Sequence, residues 1–409
     1  MTPTPKHPHI CFIADGRSPT ARSWLRHVLA LGYRASLIST FPCQPPDGLA
    51  DFHVLPVAFS RFSGGAPASP QTNALGPASR LKKFVRRFAP LFQALRYYIG
   101  PLTLFRYARP YRELLNTIQP DLVHALRIPF EGMLGSATPI GIPFLAATWG
   151  NDLTLHARGS LLMRRFTRRC LRRADGLTSD THRDVRLAHE WGLSAGAPTL
   201  VVPGSGGLDL NAIRKAPAAG MESKPYPYPG PWIVNPRGLR PGSVHQDVFF
   251  AAIPRVLAVR PEARFICPGL AGKKQAENWV HQQDIRSQVY LLPKLSQTEL
   301  WGLFKASALF VSPSSHDGTP NTLLEAMACG CFPIAGDIES LREWITSGEN
   351  GLLVNPRDPE ALAQAILQAL DQPALRQTAA RQNQDIIQAR AAQSATQPQI
   401  DAFYRQFSG

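Results

Sequence analysis

Residues 311–335, Val-Ser-Pro-Ser-Ser-His-Asp-Gly-Thr-Pro-Asn-Thr-Leu-Leu-Glu-Ala-Met-Ala-Cys-Gly-Cys-Phe-Pro-Ile-Ala, constrain the fold more than any other stretch. They continue an apolar run, Ala308-Leu-Phe-Val311, that is bounded by Ser and Pro and reads as a short buried parallel strand. A polar loop holding Gly318 and Pro320 follows. Asn321 to Cys329 then reads as a helix, with Leu323, Leu324, Met327 and Ala328 at helical spacing, and Cys331 to Ala335 as the next strand. Strand, loop, helix and strand in that order make a unit of an open α/β sheet, which binds ligands at the carboxyl ends of its strands. Asp317 lies in that loop and Glu325 in the helix, seven residues intervening. Loop amides near a helix start hold a diphosphate, and a carboxylate grips sugar hydroxyls, which are donors as well as acceptors.

The same alternation runs through the chain. His9 to Ala14 reads as a strand, Asp15 to Pro19 as a loop, Thr20 to Leu31 as a helix that Gly32 ends, and Tyr33 to Ser39 as the next strand. The spacing is not that of a dinucleotide fingerprint. Leu122–Ala125, Phe144–Thr148, Gly176–Ser179 and Thr199–Val202 complete one parallel set. A second begins at Trp232–Asn235 and continues through a helix from Gln246 to Val259, strands at Arg264–Cys267 and Val289–Leu292, and a helix from Gln297 to Lys305. Residues from Pro359 onward read as helical. The Pro- and Gly-bearing stretch 216–231 reads as a linker, and 60–79 as a loop. A chain of 409 residues suits two domains of about 200 each.

Within this pattern, Asp317 and Glu325 in Ser312-Pro-Ser-Ser-His-Asp-Gly-Thr-Pro-Asn-Thr-Leu-Leu-Glu-Ala-Met-Ala-Cys-Gly330 resemble the paired acids of the retaining glycosyltransferases of family 4, with Asp in place of the first Glu. The resemblance continues through Glu343-Trp-Ile-Thr-Ser-Gly-Glu-Asn-Gly-Leu-Leu-Val354 and Asp358-Pro-Glu-Ala-Leu-Ala-Gln-Ala-Ile366, and Pro203-Gly-Ser-Gly-Gly-Leu-Asp209 resembles the family's domain junction. It implies the α/β GT-B fold, two Rossmann-like doubly wound domains facing a central cleft. The N-terminal acceptor-side domain would span 1–205, the linker 206–230 and the C-terminal donor domain 231–394, with a last helix, 395–409, crossing back. It implies a retaining, metal-independent transferase that takes a UDP- or GDP-linked sugar to a polysaccharide, lipid-linked glycan or lipid acceptor, with no other cofactor.

By the same resemblance, Asp317 faces the donor sugar, Glu325 the ribose, and Gly318, Thr319 and Asn321 surround sugar and phosphate. Arg237, in Asn235-Pro-Arg-Gly-Leu-Arg-Pro-Gly-Ser-Val-His-Gln-Asp247, takes the place of the family's diphosphate-binding Arg. The family's Lys is missing, so Arg240 is the candidate for the second charge, with His245 and Gln246 nearer its position. Where family members carry a His near the anomeric centre this chain has Trp149, which stacks on sugars but exchanges no proton. Asp152 is the nearest ionisable group, to orient or deprotonate the acceptor or to cap a helix. Gly16 follows the first strand, where its backbone approaches the ligand. His124 and His316 are further candidates. Because both Lys and His are absent, two alternatives stand: a non-catalytic nucleotide- or sugar-binding partner protein, and an epimerase- or phosphorylase-like enzyme.

A net charge of +15 calls for an anionic partner. Residues 79–98 contain no acid. Leu81, Phe84, Val85, Phe88, Leu91, Phe92 and Leu95 fall near helical spacing, with Arg80, Lys82, Lys83, Arg86 and Arg87 between them. Such a basic amphipathic helix lies on an anionic membrane or packs on its own domain. Residues 163–173 repeat the theme, with Leu161, Leu162, Phe166, Cys170 and Leu171 as the expected buried face. Nucleic acid is not expected, since neither zinc-finger spacing nor an aromatic RNA-binding strand is present. No apolar run reaches the ~20 residues of a spanning helix. The start, Met1-Thr-Pro-Thr-Pro-Lys-His-Pro-His9, lacks a secretory apolar core. These features lead to the expectation of a cytoplasmic protein, peripheral at the inner face of the membrane. The six scattered cysteines are read as reduced packing residues.

Overall fold

Apolar runs of three to six residues bounded by turns are too short for helices and too hydrophobic to face water. In the computed structural model they form two parallel sheets. The structure describes residues 7–58, 60, 96–218 and 230–407. The chain divides into two units, Met1–Asp180 with Asp184–Gly206 and Gln399–Gly409, and Thr181–Arg183 with Gly207–Pro398.

The first unit is built on β1 (His9–Ala14), α1 (Pro19–Ala30), β2 (Arg34–Ser39), β3 (Phe52–Val54), α2 (Gly100–Ile118), β4 (Leu122–Ala125), β5 (Phe144–Thr148), α3 (Leu161–Arg173), β6 (Gly176–Ser179), α4 (His182–Trp191) and β7 (Thr199–Val201). Its sheet runs β3-β2-β1-β4-β5-β6-β7. Strand order reverses beside β1, which pairs in parallel with both β2 and β4. All six residues of β1 are buried, as expected of a strand covered on both faces.

The second unit comprises α5 (Leu210–Lys215), β8 (Trp232–Val234), α6 (Gln246–Val259), β9 (Arg264–Pro268), α7 (Lys274–Gln282), β10 (Val289–Leu292), α8 (Gln297–Ala306), β11 (Leu309–Ser312), α9 (Asn321–Ala328), β12 (Phe332–Gly336), β13 (Leu352–Val354), α10 (Pro359–Asp371) and α11 (Pro373–Arg390). Its sheet order, β10-β9-β8-β11-β12-β13, again reverses beside the unit's first strand, between β8 and β11. One core packs Phe249, Ile253 and Phe265 beneath this sheet, and another packs Phe304, Phe310, Leu324 and Met327 above it. The last helix, α12 (Gln393–Arg405), supplies Ile400, Phe403 and Tyr404 to the core of the first unit. Each sheet is thus a doubly wound Rossmann-like arrangement with a switch point of its own.

Leu161 was expected on the buried face of α3 and is instead 82% exposed at its first position, while Met163 takes the buried place. The expected amphipathic helix 79–98 lies outside the described residues except for its last three, 96–98, which are helical. The loop at 60–79 beyond Ser60, and the linker between 219 and 229, lie outside them too.

Candidate functional site

At the switch point of the second unit, two loops leave neighbouring strands. One follows β8 and the other follows β11. They are knitted together by polar side chains. The Asn235 amide exchanges hydrogen bonds with Gln246, Nδ2 to Oε1 at 3.0 Å and Nε2 to Oδ1 at 3.1 Å. Gln246 Nε2 also donates to the Gly238 carbonyl at 2.9 Å. Ser243 Oγ donates to the His316 carbonyl, the Ser315 amide to the Ser243 carbonyl, and His245 Nε2 meets Ser315 Oγ at 2.8 Å. Gly336, ending β12, lies so close to the Ser314 backbone that a Cβ would clash with its carbonyl. The loop after β11 is therefore held from two sides.

Inside this frame, Arg237 Nη2 forms an ion pair with Asp317 Oδ2, both side chains being nearly inaccessible. Arg237 Nη1 donates to Thr322 Oγ1 at 3.2 Å, in the first turn of α9. Its Nε–H is buried with no partner among the described residues, as is Asn321 Oδ1 at the first position of the same helix. A buried donor and a buried acceptor left unmatched mark a place where polarity is held ready. The Asp317 carbonyl accepts from Ser340 Oγ at 2.8 Å, and Thr319 Oγ1 accepts from Trp344 Nε1 at 2.9 Å. Gly318 is buried between them. One turn into α9, Glu325 is 4% exposed, and its Oε1 accepts from Gln297 Nε2 at 2.8 Å. Burial pushes its carboxyl up to about 7, and the Gln297 hydrogen bond only partly offsets that.

The structure thus brings Arg237 and Asp317 into contact and places Gly318, Thr319, Asn321 and Glu325 along the same loop and helix. Arg240 is on the β8–α6 loop but exposed. Of the two residues nearer the missing Lys, His245 meets Ser315 Oγ, and Gln246 is a neutral amide 2% exposed and locked into the loop. Thr322, Ser340, Trp344 and Gln297 also shape the site. Their sequence carries no signal of it, because each acts through a contact made only on folding.

Two predicted residues belong to the first unit. Gly16 is buried after β1; its amide donates to Ser39 Oγ at 3.1 Å, and a Cβ there would run into Cys43 Sγ and Ser39 Oγ. Asp152 was expected to orient or deprotonate the acceptor, or to cap a helix. It is wholly buried; Oδ1 accepts from Arg127 Nε at 2.8 Å, and Oδ2 faces the amides of Trp149 at 3.2 Å and Ile128 at 3.4 Å. A carboxylate so engaged fastens the loops after β4 and β5. It does not cap a helix. His124 is a core residue as well, fully buried and bonded to Tyr404 and Thr178. Half-buried Trp149 packs against the core of the first unit.

Two doubly wound parallel sheets, with an acid–arginine pair at the switch point of the second, define the GT-B class of glycosyltransferase folds. Comparison with known proteins agrees. The family model for the glycosyl transferase 4-like domain matches residues 15–204, and that for glycosyl transferases group 1 matches residues 242–385. The chain belongs to the group 1 glycosyltransferases of the family 4 type. It is 29% identical to the D-inositol 3-phosphate glycosyltransferase of Thermobispora bispora over 211 residues, 49% of either chain. To the glycogen synthase of Mycobacterium tuberculosis it is 30% identical over 142 residues, 34% of this chain and 33% of that one. The matches therefore span at most about half the length of these curated relatives. Among solved structures, HepE of Anabaena in complex with UDP superposes with a TM-score of 0.67 at 16% identity, over 97% of this chain and 100% of that one. The sucrose-phosphate synthase of Thermosynechococcus elongatus gives 0.71 at 18% identity, over 98% and 99%.

Proposed function

We propose that the protein transfers a sugar from a nucleoside diphosphate sugar, UDP- or GDP-linked, to a glycan, lipid-linked glycan or lipid acceptor, with retention of anomeric configuration. The observation that carries this reading is the buried Arg237–Asp317 pair, joined to the first turn of α9, with Glu325 one turn further on. Breaking a sugar–phosphate bond sends negative charge onto the departing diphosphate. Groups aimed there give the largest rate gain, because they bind the transition state better than the ground state. Arg237 is such a group, with its unpartnered Nε–H in reserve and the amides of the α9 N-terminus beside it. Asp317, held by its own arginine, takes the donor sugar's hydroxyls, and Glu325 those of the ribose. Asp152 positions the loops of the acceptor side through Arg127.

The HepE structure contains UDP, which supports a uridine donor here. Thermal unfolding with UDP-, GDP-, ADP- and dTDP-sugars tests the reading. A ligand at ~100 times its dissociation constant adds ~2.7 kcal/mol. A shift selective for one base, lost in Glu325→Ala, is expected, and product NMR should show a retained anomeric centre. No shift with any nucleotide overturns the donor site. The rival reading, a binding protein without turnover, draws on the missing Lys: His245 and Gln246, the residues nearer its place, are both hydrogen-bonded within the loops. It predicts the same selective shift with no sugar released to any acceptor.

A further inference from the structure

We propose that the α2–α3 face of the first unit docks on an anionic phospholipid surface. The thirteen residues of α3 include six arginines and no acid. Arg164, Arg165, Arg168, Arg169 and Arg172 are exposed, and none has a carboxylate partner among the described residues. Elsewhere on the described surface some exposed helix arginines pair with acids, as Arg109 with Glu113, Arg186 with Glu190, Arg255 with Glu360 and Arg405 with Asp401, while others, such as Arg26, Arg106 and Arg381, do so no more than those of α3. Even Arg173, at the end of α3, binds Asp175 and two carbonyls. What sets α3 apart is density: five exposed arginines without carboxylate partners share one acid-free helix, with Arg168 also lying over the Trp191 ring, and make a local excess of positive charge.

Apolar side chains gather at the same place. Of the eight large hydrophobics exposed among the described residues, five are Tyr98, Ile99, Leu102, Phe105 and Leu161. Phe105, 60% exposed, leans edge-on against Phe166 of α3 at 5.6 Å, which fixes α2 to the arginine-bearing helix. Two adjoining grooves, of about 880 and about 660 Å³, share Leu161, Arg164 and Arg168; one reaches Phe105 and the other Tyr98. Arginine stems and exposed apolar groups thus form one continuous surface.

This mixture identifies the occupant. A duplex nucleic acid is met by charge and hydrogen-bond donors and gains nothing from an outstanding Leu161 or Phe105. A second copy of the chain would bring the same positive charge against itself. An anionic bilayer answers both features: apolar side chains enter the headgroup boundary while guanidinium groups stay level with the phosphates. No described helix is long and apolar enough to cross a membrane, so such contact is with its surface.

The test is flotation of the full chain with phosphatidylglycerol-containing vesicles and with phosphatidylcholine vesicles. Binding to the first alone is expected, with loss in high salt. Arg165→Ser/Arg169→Ser/Arg172→Ser should lose about tenfold or more in vesicle affinity with an unchanged melting temperature. Leu161→Ser/Phe105→Ser should still bind at low salt but release at lower ionic strength than wild type. Three results overturn the proposal. One is undiminished binding by the arginine variant while Lys82→Ser/Lys83→Ser/Arg86→Ser/Arg87→Ser abolishes it, which moves the contact elsewhere. Another is equal affinity for duplex DNA with the same dependence on these residues. The third is no vesicle binding at all. None of these bears on donor binding, so failure here leaves the transferase reading intact.

Discussion

Arg237 and Asp317 form a buried ion pair across the loops that follow two adjacent strands, at the point where strand order reverses. Each is the other's compensation for lost water. Removing one partner leaves an uncompensated buried charge, which costs about 3–5 kcal/mol; replacing both with apolar groups costs much less. Asp317→Ala should therefore destabilise the fold strongly, and Arg237→Met/Asp317→Leu should recover much of that loss while binding no donor. A double-mutant cycle in urea measures the coupling, and additive effects would contradict it. Arg237→Lys keeps the charge but not the fork, and should lower kcat about 10²-fold with a smaller change in KM.

Glu325 makes the site sensitive to pH. Its carboxyl is raised from the usual 4.5 to about 7 by burial, so the folded state holds this proton more tightly than the unfolded one. The associated stability is complete below pH 4.5 and is lost as pH rises through 7, a loss of about 3 kcal/mol. Glu325→Gln should flatten that fall in urea titrations between pH 5 and 8. Nucleotide affinity should run the other way in the wild type, rising through pH 7 as the carboxylate that accepts from ribose hydroxyls forms. Parallel pH curves for wild type and Glu325→Gln would rule this out.

The strands that buried both faces were readable in advance, because β1, β5 and β11 are mostly apolar runs between turn residues. The edge strands β3 and β13 were not read as strands: at three residues each, they owe their pairing to β2 and β12 more than to their own pattern. The acid spacing of Asp317 and Glu325 pointed to the site, since local sequence fixes which loop and helix they occupy. What it did not contain was the pairing of Asp317 with Arg237, eighty residues away, or the seating of Glu325 against Gln297. Asp152 shows the same limit. Its type suggested a group that orients or deprotonates the acceptor, or a helix cap, and only tertiary packing revealed both oxygens turned inward toward Arg127 and two amides.

That inward turn predicts how Asp152 variants behave. A positioning carboxylate and a catalytic base both lower turnover when lost, but they differ in the pH profile. Asp152→Asn retains an acceptor for Arg127 and should keep the shape of the pH–rate curve, with a reduced kcat. Asp152→Ala should in addition lose about 1–3 kcal/mol, as the amides of Trp149 and Ile128 are left without their acceptor. Loss of the acidic limb in Asp152→Asn would restore the base assignment.

Tyr404 ties the last helix to the first unit through a chain of hydrogen bonds whose polarity can be assigned. Trp24 Nε1–H, a donor only, gives its proton to the Tyr404 hydroxyl oxygen at 2.9 Å. The hydroxyl in turn donates to His124 Nδ1 at 2.8 Å, which leaves Nε2–H of the neutral ring to donate to Thr178 Oγ1 at 3.2 Å. Burial lowers His124 to about 3, so the neutral ring this chain requires persists to low pH. The unfolded ring protonates near 6.5, so the stability carried by the native ring is present above 6.5 and is lost as pH falls toward 3, opposite in sense to Glu325. Tyr404→Phe should cost about 1–3 kcal/mol at pH 7, because Trp24 and His124 lose their common partner. His124→Gln should lessen the acid lability of the fold in urea titrations from pH 7 to 4. Ending the chain at Pro398 removes Ile400, Phe403 and Tyr404 together from a core they share with β1 and α1, and should leave the first unit unfolded at room temperature. Circular dichroism of the truncated chain checks this, and a native spectrum with an unshifted melting temperature would show that the helix adds little to that core.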